Sequence, residues 1–353
     1  MKKVKFFIDD IPVEGSQDES IWTVAKRYGT TLPHLCYSDK PGYRADGNCR
    51  ACMVSVEGER VLAASCIRTP SEGMKVYTKD ERSSKSREMV IELLVTDQPK
   101  KEICHDPDSH FWQMADKVNV KKSRFDKRNP ETIPEADNSH VAMSVNLDAC
   151  INCNLCVRAC REVQVNDVIG MGNRGHTSQV IFDFNDPMGD STCVSCGECV
   201  QACPTGALME SNLLDEKGKK VVKPDRKVDS LCPYCGVGCQ LTYNIKGEKI
   251  VSVDGRDGPA NNNRLCVKGR FGFDYIHNPE RLTKPLIRKD GIPKDPKERI
   301  DPLNPLSHFR EATWDEALDL AASKLLKIRD SKNGKKALAG FGCAKGSNEE
   351  AYL

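Results

Sequence analysis

Cys150, Cys153, Cys156 and Cys160 follow one another as C-x2-C-x2-C-x3-C, and Cys193, Cys196, Cys199 and Cys203 repeat that spacing. Thiolates at these intervals suit iron-sulfur chemistry: three of each run close on one cubane face while the fourth reaches across to the neighbouring cluster. The spacing predicts two adjacent [4Fe-4S] centres. Cys150, Cys153, Cys156 and Cys203 hold one, and Cys193, Cys196, Cys199 and Cys160 hold the other. Pro204 follows the last cysteine as this pattern expects, whereas Arg161 follows Cys160, a departure that leaves the ligand set intact. Zinc or disulfides are the alternatives, and a four-cysteine run found twice favours the cubanes.

Two further groups of four lie on either side. Cys36, Cys49, Cys52 and Cys66 are spaced C-x12-C-x2-C-x13-C, and inside Asp46-Gly47-Asn48-Cys49-Arg50-Ala51-Cys52 the glycine lets the backbone wrap closely and aim amides at sulfur. Two thiolates from a short loop and two distant ones suit a [2Fe-2S] rhomb, with zinc as the alternative. Cys232, Cys235, Cys239 and Cys266, spaced C-x2-C-x3-C-x26-C, again offer four thiolates, to iron-sulfur or to zinc. Sixteen of the 18 cysteines are thereby used, each group as a one-electron carrier. In series they form a wire. Cys104 is left as an ordinary free thiol, and Cys343 reads as a buried small residue rather than a ligand.

The chain of 353 residues is long enough for two or three domains. A formal charge of +2 gives no broad basic field for nucleic acid, and no apolar run reaches membrane-spanning length. Lys2, Lys3 and Lys5 precede only Phe6-Phe7-Ile8 before Asp9-Asp10 interrupt, so a secretory leader is not expected and the reducing cytoplasm is. Low aromatic content argues for several small modules stapled by metal rather than one large core.

The elements that position these cysteines follow from periodicity. Strands are expected at 3–8, 11–14, Met53–Val56, Val61–Ala64 and Met74–Tyr77, with a helix from Ser20 to Tyr28 stopped by Gly29: a small mixed sheet with one helix. Residues 81–95 read as a helix with Met89, Val90, Leu93 and Leu94 on its apolar side, the basic stretch Lys117–Arg128 as a solvated linker, and 129–140 as a loop. Gly170, Gly172, Gly175 and Gly189 mark 161–190 as an insert of turns, and Asp215–Lys227 reads as a linker. Leu241–Ile245 and Lys249–Val253 alternate like a hairpin. Prolines between 282 and 306 suggest a crossing loop. Thr313-Trp-Asp-Glu316 is a capping box that opens an amphipathic helix, followed by a strand at Ala337–Phe341. Gly340, Gly342 and Gly346 do not match a phosphate loop and receive no nucleotide role.

The segment around Cys36 to Cys66 resembles the β-grasp [2Fe-2S] module of NADH:quinone oxidoreductase large subunits, NAD-linked formate dehydrogenases and iron-only hydrogenases. Cys-Pro-Tyr-Cys-Gly-Val-Gly-Cys followed by Cys-Val-Lys-Gly-Arg resembles the N-terminal [4Fe-4S] domain of molybdenum or tungsten bis-pterin oxidoreductases, and Trp-Asp-Glu-Ala-Leu resembles the large molybdopterin domain. Over nearly its whole length the chain is similar to the alpha subunit of cytoplasmic NAD-dependent formate dehydrogenase.

That resemblance implies an α+β multidomain chain. Its parts are a β-grasp module at 1–80, a helix and linker at 81–140, a double-cubane bacterial ferredoxin module at 141–213, a linker at 214–227, a β-rich [4Fe-4S] domain at 228–284, and the start of a molybdopterin α/β domain at 285–353. It implies one [2Fe-2S] and three [4Fe-4S] clusters, and a molybdenum or tungsten bis-molybdopterin guanine dinucleotide in the complete enzyme. Formate is then the substrate, and a flavin/NAD-binding beta subunit and a small [2Fe-2S] gamma-type subunit are the partners. Lys268 falls where the family has a lysine between cluster and pterin. The family's one-His, three-Cys site is expected to be missing, because only Cys104, His105 and His110 are present and Gln98 stands where a ligand histidine belongs. No catalytic residue is assigned, since the metal-binding Cys or selenocysteine, His and Arg of the family lie farther along than Leu353. Residues after Tyr275 are expected to be poorly ordered in isolation. Quinone-reductase, hydrogenase or pure electron-transfer roles are the alternatives.

Overall fold

The computed structural model describes residues 2–127, 133–295, 297–343, 345–346 and 352. Arg128, the first four positions of the expected 129–140 loop, Pro296, Ala344 and Leu353 lie outside the described residues. The chain forms two compact units, Met1–Pro233 with Val237–Phe271, and Tyr234–Gly236 with Gly272–Leu353.

The first unit opens with β1 (Lys3–Ile8) and β2 (Ile11–Ser16), antiparallel across Asp9 and Asp10. Both aspartates take positive φ, the conformation of a two-residue hairpin turn. Next, α1 (Ile21–Arg27) begins where the Ser20 hydroxyl accepts the Thr23 N–H, and stops at Gly29, whose φ is 83°. With β3 (Met53–Val56), β4 (Ala63–Ala64) and β5 (Lys75–Tyr77) the sheet runs β2-β1-β5-β3-β4, and only β1 and β5 are parallel. Val4, Phe6, Ile8, Ile21, Trp22, Val54 and Val76 fill the core between sheet and helix, and Cys52 and Cys66 belong to it. The strand expected from Val61 shortens to Ala63–Ala64. Ser65 gives both its N–H (3.2 Å) and its hydroxyl (2.8 Å) to the Cys52 carbonyl, which bends the chain toward the cysteine loop.

α2 (Glu81–Thr96) is capped by Asp80, which accepts the Ser83 N–H at 3.1 Å. Its buried face is Ser83, Arg87, Ile91 and Val95, an i, i+4 row, while Leu93, expected on the apolar side, is exposed. The Arg87 guanidinium explains the rotation, because it donates to the carbonyls of Met53 (2.7 Å) and Thr78 (2.6 Å) and so fastens the helix to the sheet. α3 (His110–Lys117), unread in the sequence, packs Phe111, Trp112 and Ala115 with Ile91, Val95, Leu35 and Cys104.

β6 (Met143–Val145) leads to α4 (Leu155–Arg158) and then to a π-helical turn, Ala159–Val163, that carries Cys160. The insert read as turns contains a hairpin, β7 (Ile169–Gly172) with β8 (Gln179–Phe182), which buries Ile169, Val180 and Phe182. Its glycines conceal a short apolar alternation. α5 (Glu198–Ala202) precedes β9 (Leu208–Glu210), which pairs with β6. The expected linker ends earlier than supposed: Arg226 already begins β10 (Arg226–Leu231), the edge of an antiparallel sheet with β11 (Gln240–Lys246) and β12 (Lys249–Gly255). No residue of β10 is buried, so it lacks the alternation that reveals a strand. α6 (Val267–Phe271) closes this unit.

In the second unit β13 (Leu286–Arg288) pairs with β14 (Phe309–Glu311), so the expected crossing loop contains a strand. Thr313 caps α7 (Trp314–Arg329), accepting the Glu316 N–H at 3.2 Å as the capping box foretells. α8 (Gly334–Ala337) replaces the start of the strand expected at Ala337–Phe341. Phe341 and Cys343 are exposed, against the reading of Cys343 as buried, because among the described residues of this unit nothing pairs with that run. Among the described residues no helix is long and apolar enough to cross a membrane.

Candidate iron-sulfur sites

In the first cysteine group Cys36, Cys52 and Cys66 are buried and Cys49 is half-buried. Gly47 has φ 64°, and a Cβ there would meet the Ile67 side chain at 2.8 Å, so both conformation and space require glycine. The loop sends the Cys49 N–H to Cys36 Sγ (3.4 Å) and the Ala51 N–H to Cys49 Sγ (3.5 Å). The sulfurs pair, Cys36 with Cys49 and Cys52 with Cys66. The hydrogen bond from Cys36 lowers the Cys49 thiol while Cys36 rises, and that from Cys66 lowers the Cys52 thiol while Cys66 rises.

The two middle runs use one backbone device twice. Asn152 and Asn154, at φ 51° and 61°, flank Cys153, and Ser195 and Gly197, at φ 56° and 69°, flank Cys196. These left-handed turns aim the Asn152 N–H at Cys150 Sγ and the Ser195 N–H at Cys193 Sγ, each at 3.4 Å. α4 and α5 then place Cys156 and Cys199.

Burial raises the Cys153 and Cys156 thiols, and the charges of Cys150 and Cys203 raise both further. Burial also raises Cys199, followed by the charges of Cys196, Cys193 and Cys160. Cys203 therefore lies within electrostatic reach of Cys153 and Cys156, and Cys160 within reach of Cys193, Cys196 and Cys199. Cys160 Sγ also accepts the Val168 N–H at 3.3 Å. Buried thiols, with peptide N–H groups aimed at sulfur in each run, are a donor set suited to a cationic centre. These residues fit iron-sulfur groups.

Charged side chains inside the runs carry the packing. Arg158, 2% exposed, donates through Nη2 to the carbonyls of Cys36 (2.6 Å) and Cys153 (3.3 Å), through Nη1 to the Arg44 carbonyl, and pairs with Asp46 at 3.1 Å. Arg270 donates to the Cys196 and Val253 carbonyls (3.3 and 2.8 Å) and to Gln201 Oε1 (2.7 Å), and lies 3.5 Å from Glu198, which also accepts from Tyr43 Oη at 2.8 Å. Sequence reading gave no role to Arg158, Glu198 or Tyr43, and quoted Arg270 only within the Cys-Val-Lys-Gly-Arg motif. Their one signal was a charge two residues from a cysteine, at Arg158 and Glu198.

Gly197 lies under this network. A Cβ there would come 2.8 Å from Arg270 Cγ, at a φ that side chains rarely adopt. Gly197→Ala should accelerate thermal loss of iron, followed by the visible absorbance, whereas Asn154→Gly, at the matching place of the other run, should leave it within about twofold.

In the fourth group Cys232, Cys239 and Cys266 belong to the first unit. The Cys232 N–H donates to the Cys239 carbonyl at 2.9 Å, and Gly269 is packed so that a Cβ would lie 3.6 Å from Cys232 Sγ. Lys268 is exposed on α6. Cys235, exposed, belongs to the second unit. Cys104, His105 and His110 turn to separate partners: Cys104 Sγ to the Lys101 carbonyl (3.2 Å), His105 to Asp148 (2.9 Å), and His110 to the His34 carbonyl (2.7 Å). Burial lifts the Cys104 thiol to about 11. Gln98 is buried and donates to the Ala149 carbonyl at 2.9 Å.

Three families match parts of the chain: a 2Fe-2S iron-sulfur cluster binding domain over residues 1–81, a 4Fe-4S dicluster domain over 149–207, and a molybdopterin oxidoreductase Fe4S4 domain over 225–278. Among curated relatives, "Putative formate dehydrogenase SH0748" of Staphylococcus haemolyticus is 29% identical over 95% of this chain and 36% of its own length. A subunit of the NADH-quinone oxidoreductase of Rhizobium meliloti is 31% identical over 91% of this chain and 35% of its own. Among solved structures, a chain of an NAD+-reducing [NiFe]-hydrogenase in the H2-reduced state is 25% identical with a TM-score of 0.52, covering 59% of this chain and 87% of that one. The chain spans little more than a third of the curated relatives it matches. It carries 2Fe-2S and 4Fe-4S domains and the iron-sulfur domain of molybdopterin oxidoreductases, the equipment of electron transport.

Proposed function

We propose that the chain is the iron-sulfur wire of a formate dehydrogenase of the NAD-dependent, molybdenum- or tungsten-containing kind. Cys36, Cys49, Cys52 and Cys66 hold a [2Fe-2S] cluster. Cys150, Cys153, Cys156 and Cys203 hold one cubane, Cys193, Cys196, Cys199 and Cys160 a second, and Cys232, Cys235, Cys239 and Cys266 a third, the last set resting on spacing and on the family match to 225–278. The observation that supports the reading is the backbone device repeated in both central runs, paired left-handed turns that bring a peptide N–H to Cys150 and to Cys193, within the segment that matches a 4Fe-4S dicluster domain.

In this reading a β-grasp module occupies 1–80, a helix and linker 81–140, a ferredoxin-type module 141–213, a linker 214–227, the pterin-associated cluster domain 228–284, and molybdopterin-domain sequence the chain from 285. When bound, a bis-molybdopterin guanine dinucleotide supplies the two-electron oxidation of formate, and the clusters pass those electrons on singly. Lys268, exposed on α6 and two residues after Cys266, is the residue of this chain that would meet such a cofactor. A flavin/NAD-binding beta subunit and a small [2Fe-2S] gamma-type subunit take the electrons in the cytoplasm. The formate dehydrogenase name of one relative supports the substrate, and the quinone-reductase name of another supports the alternative of a subunit without its own catalysis.

Metal and cofactor analysis of the native complex decides between them. Molybdenum or tungsten with pterin, and clusters that bleach on formate addition, are expected. A complex with neither, its clusters silent to formate, contradicts the reading.

A further inference from the structure

The first and second cysteine groups meet at one buried side chain. Cys36 of the first and Cys153 of the second lie in a single core with Leu155, and Arg158 Nη2 bonds the carbonyls of both cysteines, at 2.6 and 3.3 Å. Asp46, from the loop that carries Cys49, holds Arg158 Nε at 3.1 Å, which offsets the cost of burying a cation.

We propose that Arg158 is the positioning residue that makes the first two groups a direct electron-transfer pair and sets the potentials on both sides of the junction. The inference rests on the cluster reading of those groups. One electron leaves the reduced centre of one group and reduces the oxidised centre of the other, with no proton or atom transferred, so added negative charge must be met by charge already in place. A guanidinium fixed on the peptide carbonyls of a cysteine from each group supplies it. Its shared Nη2 also gives a continuous covalent and hydrogen-bonded path from Cys36 to Cys153.

Three forms of the full chain separate these roles: wild type, Arg158→Lys and Arg158→Met, each reconstituted with iron and sulfide and titrated redox-wise by EPR. In Arg158→Met, with iron content unchanged, the midpoint of each flanking centre should fall by about 59 mV, the one-electron equivalent of a tenfold equilibrium change. Electron arrival at the first cubane after rapid reduction should slow at least tenfold. Arg158→Lys keeps the charge but not the double bond to the carbonyls, so potentials near wild type with slowed transfer are expected. Unchanged potentials and rates in a fully loaded Arg158→Met overturn the inference alone, and unchanged rates in Arg158→Lys overturn the path through Nη2. If Arg158→Met does not load, the Lys form decides: slowed transfer at preserved potentials sustains the proposal. Zinc instead of iron in the first two groups of the wild type overturns the cluster reading and the inference with it.

Discussion

Cys203→Ala strips iron from the cluster of the other run. With Cys203 in electrostatic reach of Cys153 and Cys156, its loss opens that cubane, and about four irons per chain should disappear. The crossing is tested by combining variants. Cys203→Ala with Cys153→Ala should lose no more iron than either alone, since both empty one site, whereas Cys203→Ala with Cys196→Ala should lose about eight, emptying two. The reverse pattern, additive loss with Cys153 and none added with Cys196, would mean that each run closes its own cluster.

The second large effect concerns stability. Glu198 and Arg270 are each 1% exposed in the side chain, a buried pair whose guanidinium also satisfies the Cys196 and Val253 carbonyls. Burial raises the Glu198 carboxyl and the Arg270 charge opposes that, so the pair holds only while both partners remain. Glu198→Ala leaves the buried Arg270 with only the Asp254 carboxylate, 3.9 Å away, and removes the acceptor for Tyr43 Oη, at a cost of about 3–5 kcal/mol. The thermal midpoint of the loaded chain should drop by on the order of 10 °C. Glu198→Ala with Arg270→Met, which removes both charges, should recover part of it. A midpoint within a degree of wild type in the single variant would show that the pair contributes little.

The cysteine groups were legible because ligand chemistry fixes residue type and spacing together, and the strands and helix of the first module because its apolar alternation was clean, although the strand expected from Val61 is only Ala63–Ala64. What stayed hidden had physical reasons. β10 has no buried face, so period-two patterning was absent. The face of α2 was misread because a buried arginine, not the aliphatic row, fastens it to the sheet. The strand placed at Ala337–Phe341 followed apolar composition alone, and such a run needs a partner strand that the described part of its unit does not supply. The roles of Arg158, Glu198 and Arg270 were hidden because they lie in contacts such as Arg158 with Cys36, 122 positions away in sequence, and Glu198 with Tyr43, 155 away, which no local pattern encodes.

Counting clusters in the reconstituted chain tests the central claim most directly. Anaerobic iron and sulfide assays with EPR spin integration should give about fourteen irons, divided between one two-iron and three four-iron centres. A total near eighteen would contradict the account, placing a further cluster on Cys104 and its neighbours, and so would a total near six with zinc in the central runs.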